Sequence, residues 1–184
     1  MSKIIYITGG ARSGKSSMAE DIASGYEKVA YIATAKATDG EMRLRIQKHR
    51  QRRPEHWETF EMHTGIDALL LQGRFDVYLL DCITVMLTNI IFDSGKNPEE
   101  LSLTEQEQIE NKAADEVRNI LQAARASGGD LIAVSNEVGM GLVPEYPLGR
   151  FFRDAAGRIN RIIASEADEA YLLVSGIPMK LKGG

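Results

Sequence analysis

The chain has 184 residues, 43% of them hydrophobic and 26% charged, with a formal net charge of −4. That length suits one globular domain burying roughly two-thirds of its unfolded surface, and the acidic balance argues against a general nucleic-acid binder, which carries a basic domain. A single cysteine, Cys82, excludes an internal disulfide; no apolar run reaches the roughly 18 to 20 residues of a membrane helix, and the run in MSKIIYITGG is too short for a signal peptide, so a soluble protein in a reducing, cytoplasmic setting is expected.

In chain order, apolar β-rich runs alternate with helical patterns. KIIYITG at 3–9 reads as a strand, 15–26 as a helix, KVAYIATA at 28–35 as a second strand, and 39–52 as a helix opened by an Asp39 cap. WETFEM at 57–62 fits a short strand and 64–72 a short helix. FDVYLLDCI at 75–83 is the next buried strand, followed by a helix over 84–92 and a loop, DSGKNPEELS. Thr104 and Glu107 then make a T-x-x-E capping box for a helix to about 126. DLIAVSN at 130–136 is a strand, EVGMGLVPEYPLG a loop, 150–167 a helix, and EAYLLVSGI at 169–177 the last strand. This alternation predicts an α/β fold, a mostly parallel sheet with helices on both faces. With no repeat, linker or low-complexity tract, residues 1–184 read as one domain.

The strongest chemical signal stands between the first strand and the first helix. Gly9, Gly10, Ala11, Arg12, Ser13, Gly14, Lys15 and Ser16 match G-x-x-x-x-G-K-[ST], the phosphate-binding loop of P-loop proteins. Backbone N–H groups of the turn and the positive helix end cradle phosphates, Lys15 neutralises the outer ones, and the Ser16 hydroxyl is placed to ligate Mg²⁺. A P-loop, RecA-like sheet with a nucleoside triphosphate as ligand follows. Asp81, ending VYLLD, sits where the Walker B carboxylate holds Mg²⁺ at the carboxyl edge of such a sheet. Asn111-Lys112-Ala113-Ala114 lacks the acid of an N-K-x-D base-reading motif and lies inside a helix, which disfavours a regulatory GTPase.

A basic stretch needs its own explanation in an acidic chain. RIQKHRQRRPEHW gathers Arg45, Lys48, Arg50, Arg52 and Arg53 around His49 with no acid before Glu55. Charge runs are usually solvated, yet beside a triphosphate site a basic helix serves as a clamp on phosphates. The same cations lower the pKa of His49 and keep its imidazole neutral and nucleophilic. Pro54 separates His49 from His56 and His63, so the three histidines are not read as a metal site. Asn136-Glu137-Val138-Gly139 fits either a substrate-contacting segment at the sheet edge or a plain turn. Arg150, Arg153 and Arg158 read as a solvated helix face, and Trp57 as either a base-stacking or a core residue.

GGARSGKS, YIATA at 31–35, E-M-x-x-R-I-Q-x-H-R from Glu41 to Arg50, R-P-x-x-W from Arg53 to Trp57, S-N-E-V-G-M-G-x-V-P from Ser135 to Pro144 and FRDAAGRIN from Phe152 to Asn160 together resemble the bifunctional adenosylcobinamide kinase / adenosylcobinamide-phosphate guanylyltransferase family of cobalamin biosynthesis. The resemblance spans nearly the whole chain. It implies phosphorylation of adenosylcobinamide by ATP or GTP, then transfer of GMP from GTP to give adenosylcobinamide-GDP and pyrophosphate, through a guanylylated histidine that matches His49. Lys48 stands where some relatives carry a histidine. The resemblance further implies Thr34, Ala35, Lys36, Gln51, Arg52, Arg53, Pro54, Glu61 and Asp81 as nucleotide-site residues, with Glu61 a partner of guanine or ribose, and a homotrimer. Two alternatives stay open from the residues: a simple P-loop kinase with a structural His49, and a RecA-like module in which hydrolysis drives shape.

Overall fold

A computed structural model describes residues 2–36 and 53–184; the expected helix over 39–52, with His49, Gln51 and Arg52, lies outside them. Seven strands join one sheet: β1 (Ile4–Gly9), β2 (Val29–Ala33), β3 (Glu58–Glu61), β4 (Val77–Asp81), β5 (Asp130–Val134), β6 (Glu169–Val174) and β7 (Ile177–Lys182). Their order is β3-β2-β4-β5-β1-β6-β7. All pairings are parallel except β6 with β7. Among the described residues the helices are α1 (Lys15–Ala23), α2 (Ile66–Leu70), α3 (Ile83–Phe92), α4 (Leu103–Ser127) and α5 (Pro147–Glu166), with a 3-10 turn at Pro98–Glu100.

Alternation along the strands sorts the core onto two faces. Ile4, Tyr6, Ala30, Ile32, Tyr78 and Leu80 pack with the apolar sides of α2 to α5, while Ile5, Ile7, Val29, Tyr31, Val77 and Leu79 pack with Ala19 and Ala23 of α1 and with Trp57. Full burial of each large side chain contributes roughly 1.5–3 kcal/mol, so the central strands, apolar throughout, anchor the sheet. Helices on both faces and a mostly parallel sheet are the expected α/β architecture.

Three boundaries differ from expectation, each for a local reason. The capping box is Ser102 and Glu105, where Ser102 Oγ accepts from Glu105 N at 3.3 Å and Glu105 Oε2 accepts from Ser102 N at 2.9 Å. Thr104 and Glu107 offer the same pattern two residues on, but the earlier box lengthens the helix by further backbone bonds. α5 starts at Pro147, because proline fits the first helical position, where no N–H partner is needed. The run expected as one strand over 169–177 is a hairpin: Ser175 and Gly176 turn at φ 53° and 85°, as a two-residue type I′ turn requires, and β7 returns antiparallel.

Candidate active site

Parallel pairing brings the ends of six strands to one edge. Ala33 is in register with both Glu61 and Asp81, Asp81 with Val134, and Gly9 lies beside Leu173. The expected residues from four separate segments therefore converge where open α/β sheets bind ligands.

The loop after β1 is shaped to receive an anion. Arg12 and Gly14 hold φ 56° and 96°, left-handed positions that turn successive N–H groups into a concave nest. α1 begins at Gly14 with no side-chain cap, leaving its first amides for a ligand. Lys15 is buried, and its Nζ donates to Gly10 O at 2.5 Å and to Ser13 Oγ at 3.4 Å. Burial pulls its pKa below the usual lysine value, with Asp81 acting in the opposite direction. A phosphate would offer the ammonium group an anionic partner.

This loop forms one wall of a pocket of about 680 Å³, lined also by Tyr31, Arg53, Asp81, Val85 and Asn136. Arg53 donates from Nη1 to Thr59 Oγ1 at 3.3 Å, and its guanidinium carbon sits 3.4 Å from the Tyr31 ring centroid. Its Nε is buried without a hydrogen-bond partner among the described residues, a donor that an anionic ligand would satisfy. Tyr31 OH donates to Asp81 Oδ2 at 2.6 Å. Ser16 and Asp81 face the same pocket. A hydroxyl and a carboxylate are the oxygen donors Mg²⁺ prefers, and it completes its shell with water and phosphate. Among the described residues no three His, Cys, Asp or Glu side chains gather into a cage.

A second pocket, of about 500 Å³, adjoins the first at Ala35 and is lined by Thr34, Lys36, Glu61, Met62, His63 and Thr64. Lys36 Nζ donates to Asp93 Oδ1 at 2.7 Å, and His63 Nε2 is 2.6 Å from Asp93 Oδ2. Lys36 and then His63 hold the Asp93 carboxyl below the usual carboxylate range.

Beneath both pockets runs a buried polar network. Thr34 Oγ1 donates to Cys82 O at 2.8 Å and accepts from Cys82 N at 2.9 Å, and Asn89 Nδ2 donates to Thr34 O at 2.6 Å. Asn136 Nδ2 donates to Thr84 Oγ1 at 2.6 Å, Asn160 Nδ2 to Asn136 O at 3.1 Å, and Ser135 Oγ to Asn160 Oδ1 at 2.6 Å. Low-dielectric surroundings make such networks rigid when every member is paired.

A family model described as cobinamide kinase / cobinamide phosphate guanyltransferase matches residues 5–181. The chain belongs to this family. It is 45% identical to the bifunctional adenosylcobalamin biosynthesis protein CobU of Escherichia coli K12 over 97% of this chain and 99% of the relative. Identity to the CobU of Salmonella typhimurium is 43% over the same shares, and to the CobP of Pseudomonas aeruginosa 41% over 96% of each.

Of the residues expected in the family's nucleotide site, Ala11 to Ser16, Ala35, Arg53 and Asp81 line the first pocket. Thr34, Lys36 and Glu61 line the second. Gly9 and Gly10 shape the loop from behind, and Pro54 forms the turn in which its carbonyl accepts from Trp57 N at 3.1 Å. Asn136 lines the first pocket, while Glu137 Oε1 accepts from Gly139 N at 2.6 Å within a turn. Trp57 is buried and stacks with Tyr31 at 6.4 Å between centroids, 25° between planes. Arg158 pairs with Glu110, Arg150 donates to the carbonyls of Pro144 and Glu145, and Arg153 contacts Asp154. Those arginines hold helices and loops. Sequence reasoning missed Tyr31, His63 and Asp93. Tyr31 could have been found from period two, because Ala33 ends β2 at the site and Tyr31 shares its face.

Among the described residues, no helix is long and apolar enough to cross a membrane.

Proposed function

We propose that this chain carries out two successive transfers: phosphorylation of adenosylcobinamide by ATP or GTP, then transfer of GMP from GTP to that phosphate. In the first, the aminopropanol hydroxyl oxygen attacks the γ-phosphorus and the nucleoside diphosphate leaves. In the second, an imidazole nitrogen of His49 attacks the α-phosphorus of GTP and pyrophosphate departs. An oxygen of the adenosylcobinamide phosphate then attacks the same phosphorus, the N–P bond breaks, and adenosylcobinamide-GDP is released.

The observation that supports this best is the convergence of a buried lysine, Lys15, and the unpartnered Nε of Arg53 on one pocket. Fixed cations stabilise charge that grows on phosphoryl oxygens in the transition state, without reorganisation. Lys15 meets the outer phosphates, and Arg53 and the loop amides hold the rest. When bound, Mg²⁺ neutralises phosphate charge, with Ser16 and Asp81 as its protein ligands. Arg53 and Pro54 belong to the same basic stretch of sequence as His49. The homotrimer that the resemblance implies is part of this reading, and light scattering checks it.

The test uses Mg²⁺ and GTP labelled in either the α- or the γ-phosphate, with wild type and His49→Ala. Acid-labile α-label retained on denatured wild type and absent from the variant, which still phosphorylates adenosylcobinamide, is the expected result. No retained label and no pyrophosphate would reduce the chain to a plain kinase.

A further inference from the structure

Tyr31 belongs to no phosphate-binding motif, yet it contacts Arg53, Trp57 and Asp81 in the site. It is 1% exposed. Its ring carries the Arg53 guanidinium and stacks with Trp57, contacts that each stabilise a ring in one orientation. Its hydroxyl reaches the carboxyl end of the neighbouring strand and donates to Asp81 Oδ2 at 2.6 Å. β2 and β4 fix that reach, because Tyr31 pairs in register with Leu79, two residues before Asp81.

Asp81 lines the pocket, and among the described residues the hydrogen bond from Tyr31 to Oδ2 is the one its side chain makes. A carboxylate fixed by one oxygen has lost its rotamer freedom before a cation arrives, and hydrogen bonds behind metal ligands commonly change metal affinity by about 10–100-fold.

We propose that Tyr31 is a positioning residue for the Mg²⁺-nucleotide complex, its hydroxyl locking the Asp81 carboxylate through Oδ2. This rests on the reading of Asp81 as a Mg²⁺ ligand. Arg53 and Trp57 in turn hold the ring that presents the hydroxyl, so the Mg²⁺ side and the phosphate side of the pocket share one support.

The experiment is calorimetric binding of α,β-methylene-GTP, which cannot lose pyrophosphate, to the full chain in EDTA and in Mg²⁺. Wild type, Tyr31→Phe, Asp81→Asn and the double variant are compared, and thermal unfolding is recorded for each. Phenylalanine keeps the ring and its packing and removes only the hydroxyl. Expected for Tyr31→Phe are unchanged EDTA affinity and melting temperature, with the gain in affinity on adding Mg²⁺ reduced about tenfold. Asp81→Asn loses that gain, and the double variant loses no more than Asp81→Asn alone. If Asp81→Asn loses the gain and Tyr31→Phe keeps it, the positioning role is wrong and Asp81 stands as ligand. If Asp81→Asn keeps the gain, the metal reading of Asp81 fails and the proposal fails with it. Equal weakening of Tyr31→Phe with and without Mg²⁺ would make the hydroxyl a general structural contact and overturn the proposal too.

Discussion

At the phosphate end of the site, Gly9, Arg12 and Gly14 hold positive φ and the binding groups are largely main-chain amides within eight consecutive residues. At the other end, Lys36 and His63 are gathered on Asp93, whose partner Lys36 lies 57 residues away in sequence. The first end depends on local backbone geometry and leaves little room for substitution. The second depends on exposed side chains that long-range packing brings together, so its contacts can change without disturbing the sheet. Conserving phosphate chemistry while adjusting what lies beyond the phosphates is the natural outcome of such a division.

The largest effect expected from breaking the phosphate end is on catalysis. Lys15→Ala should lower both transfer rates by about 10²–10³-fold, measured as initial rates of nucleoside diphosphate and pyrophosphate release. Gly9→Ala attacks the same end through the backbone. A Cβ there would lie 2.4 Å from Leu173 O and 2.8 Å from Ser13 Oγ, so urea unfolding should show a loss of about 2–3 kcal/mol. Asn160→Ala probes the buried network between the two ends, leaving Ser135 Oγ and Asn136 O without their partners; about 1–2 kcal/mol should be lost in the same assay.

The smallest effect belongs to the side-chain end. Asp93→Ala should raise the nucleotide KM about twofold to fivefold, in keeping with an exposed ion pair, and leave kcat and melting temperature as they are. Because the Asp93 carboxyl is held below its usual range, first by Lys36, its pairing with Lys36 is fully present above the unfolded value of about 3.9. The pairing is lost as pH falls through the depressed folded value, so the KM difference should persist from pH 6 to 8. A large change in kcat or stability in Asp93→Ala would erase the distinction between the two ends.

The phosphate end was legible because the eight residues of its motif perform their function in contiguous sequence, and a strand and helix flank them. Asp81 was legible from its place at the end of an apolar run. Tyr31, His63 and Asp93 were not, since their roles exist only once β2, β3 and α3 are side by side, and nothing local distinguishes them from core or surface residues. The Ser102 capping box was misplaced because Thr104 offers the same local pattern, and β7 was missed because all six of its residues are exposed, leaving only the Ser175-Gly176 turn to announce it.

That last hairpin has a consequence for synthesis. Ser13 O accepts from Gly176 N at 3.0 Å, and Gly14 would place a Cβ 3.5 Å from Gly176 Cα; likewise Ile4 N donates to an Asp168 carboxylate 164 residues on. A chain emerging from the ribosome presents its phosphate loop well before the residues at 168–176 that support it. The loop therefore acquires that support only after the last parallel strand and its turn have been delivered.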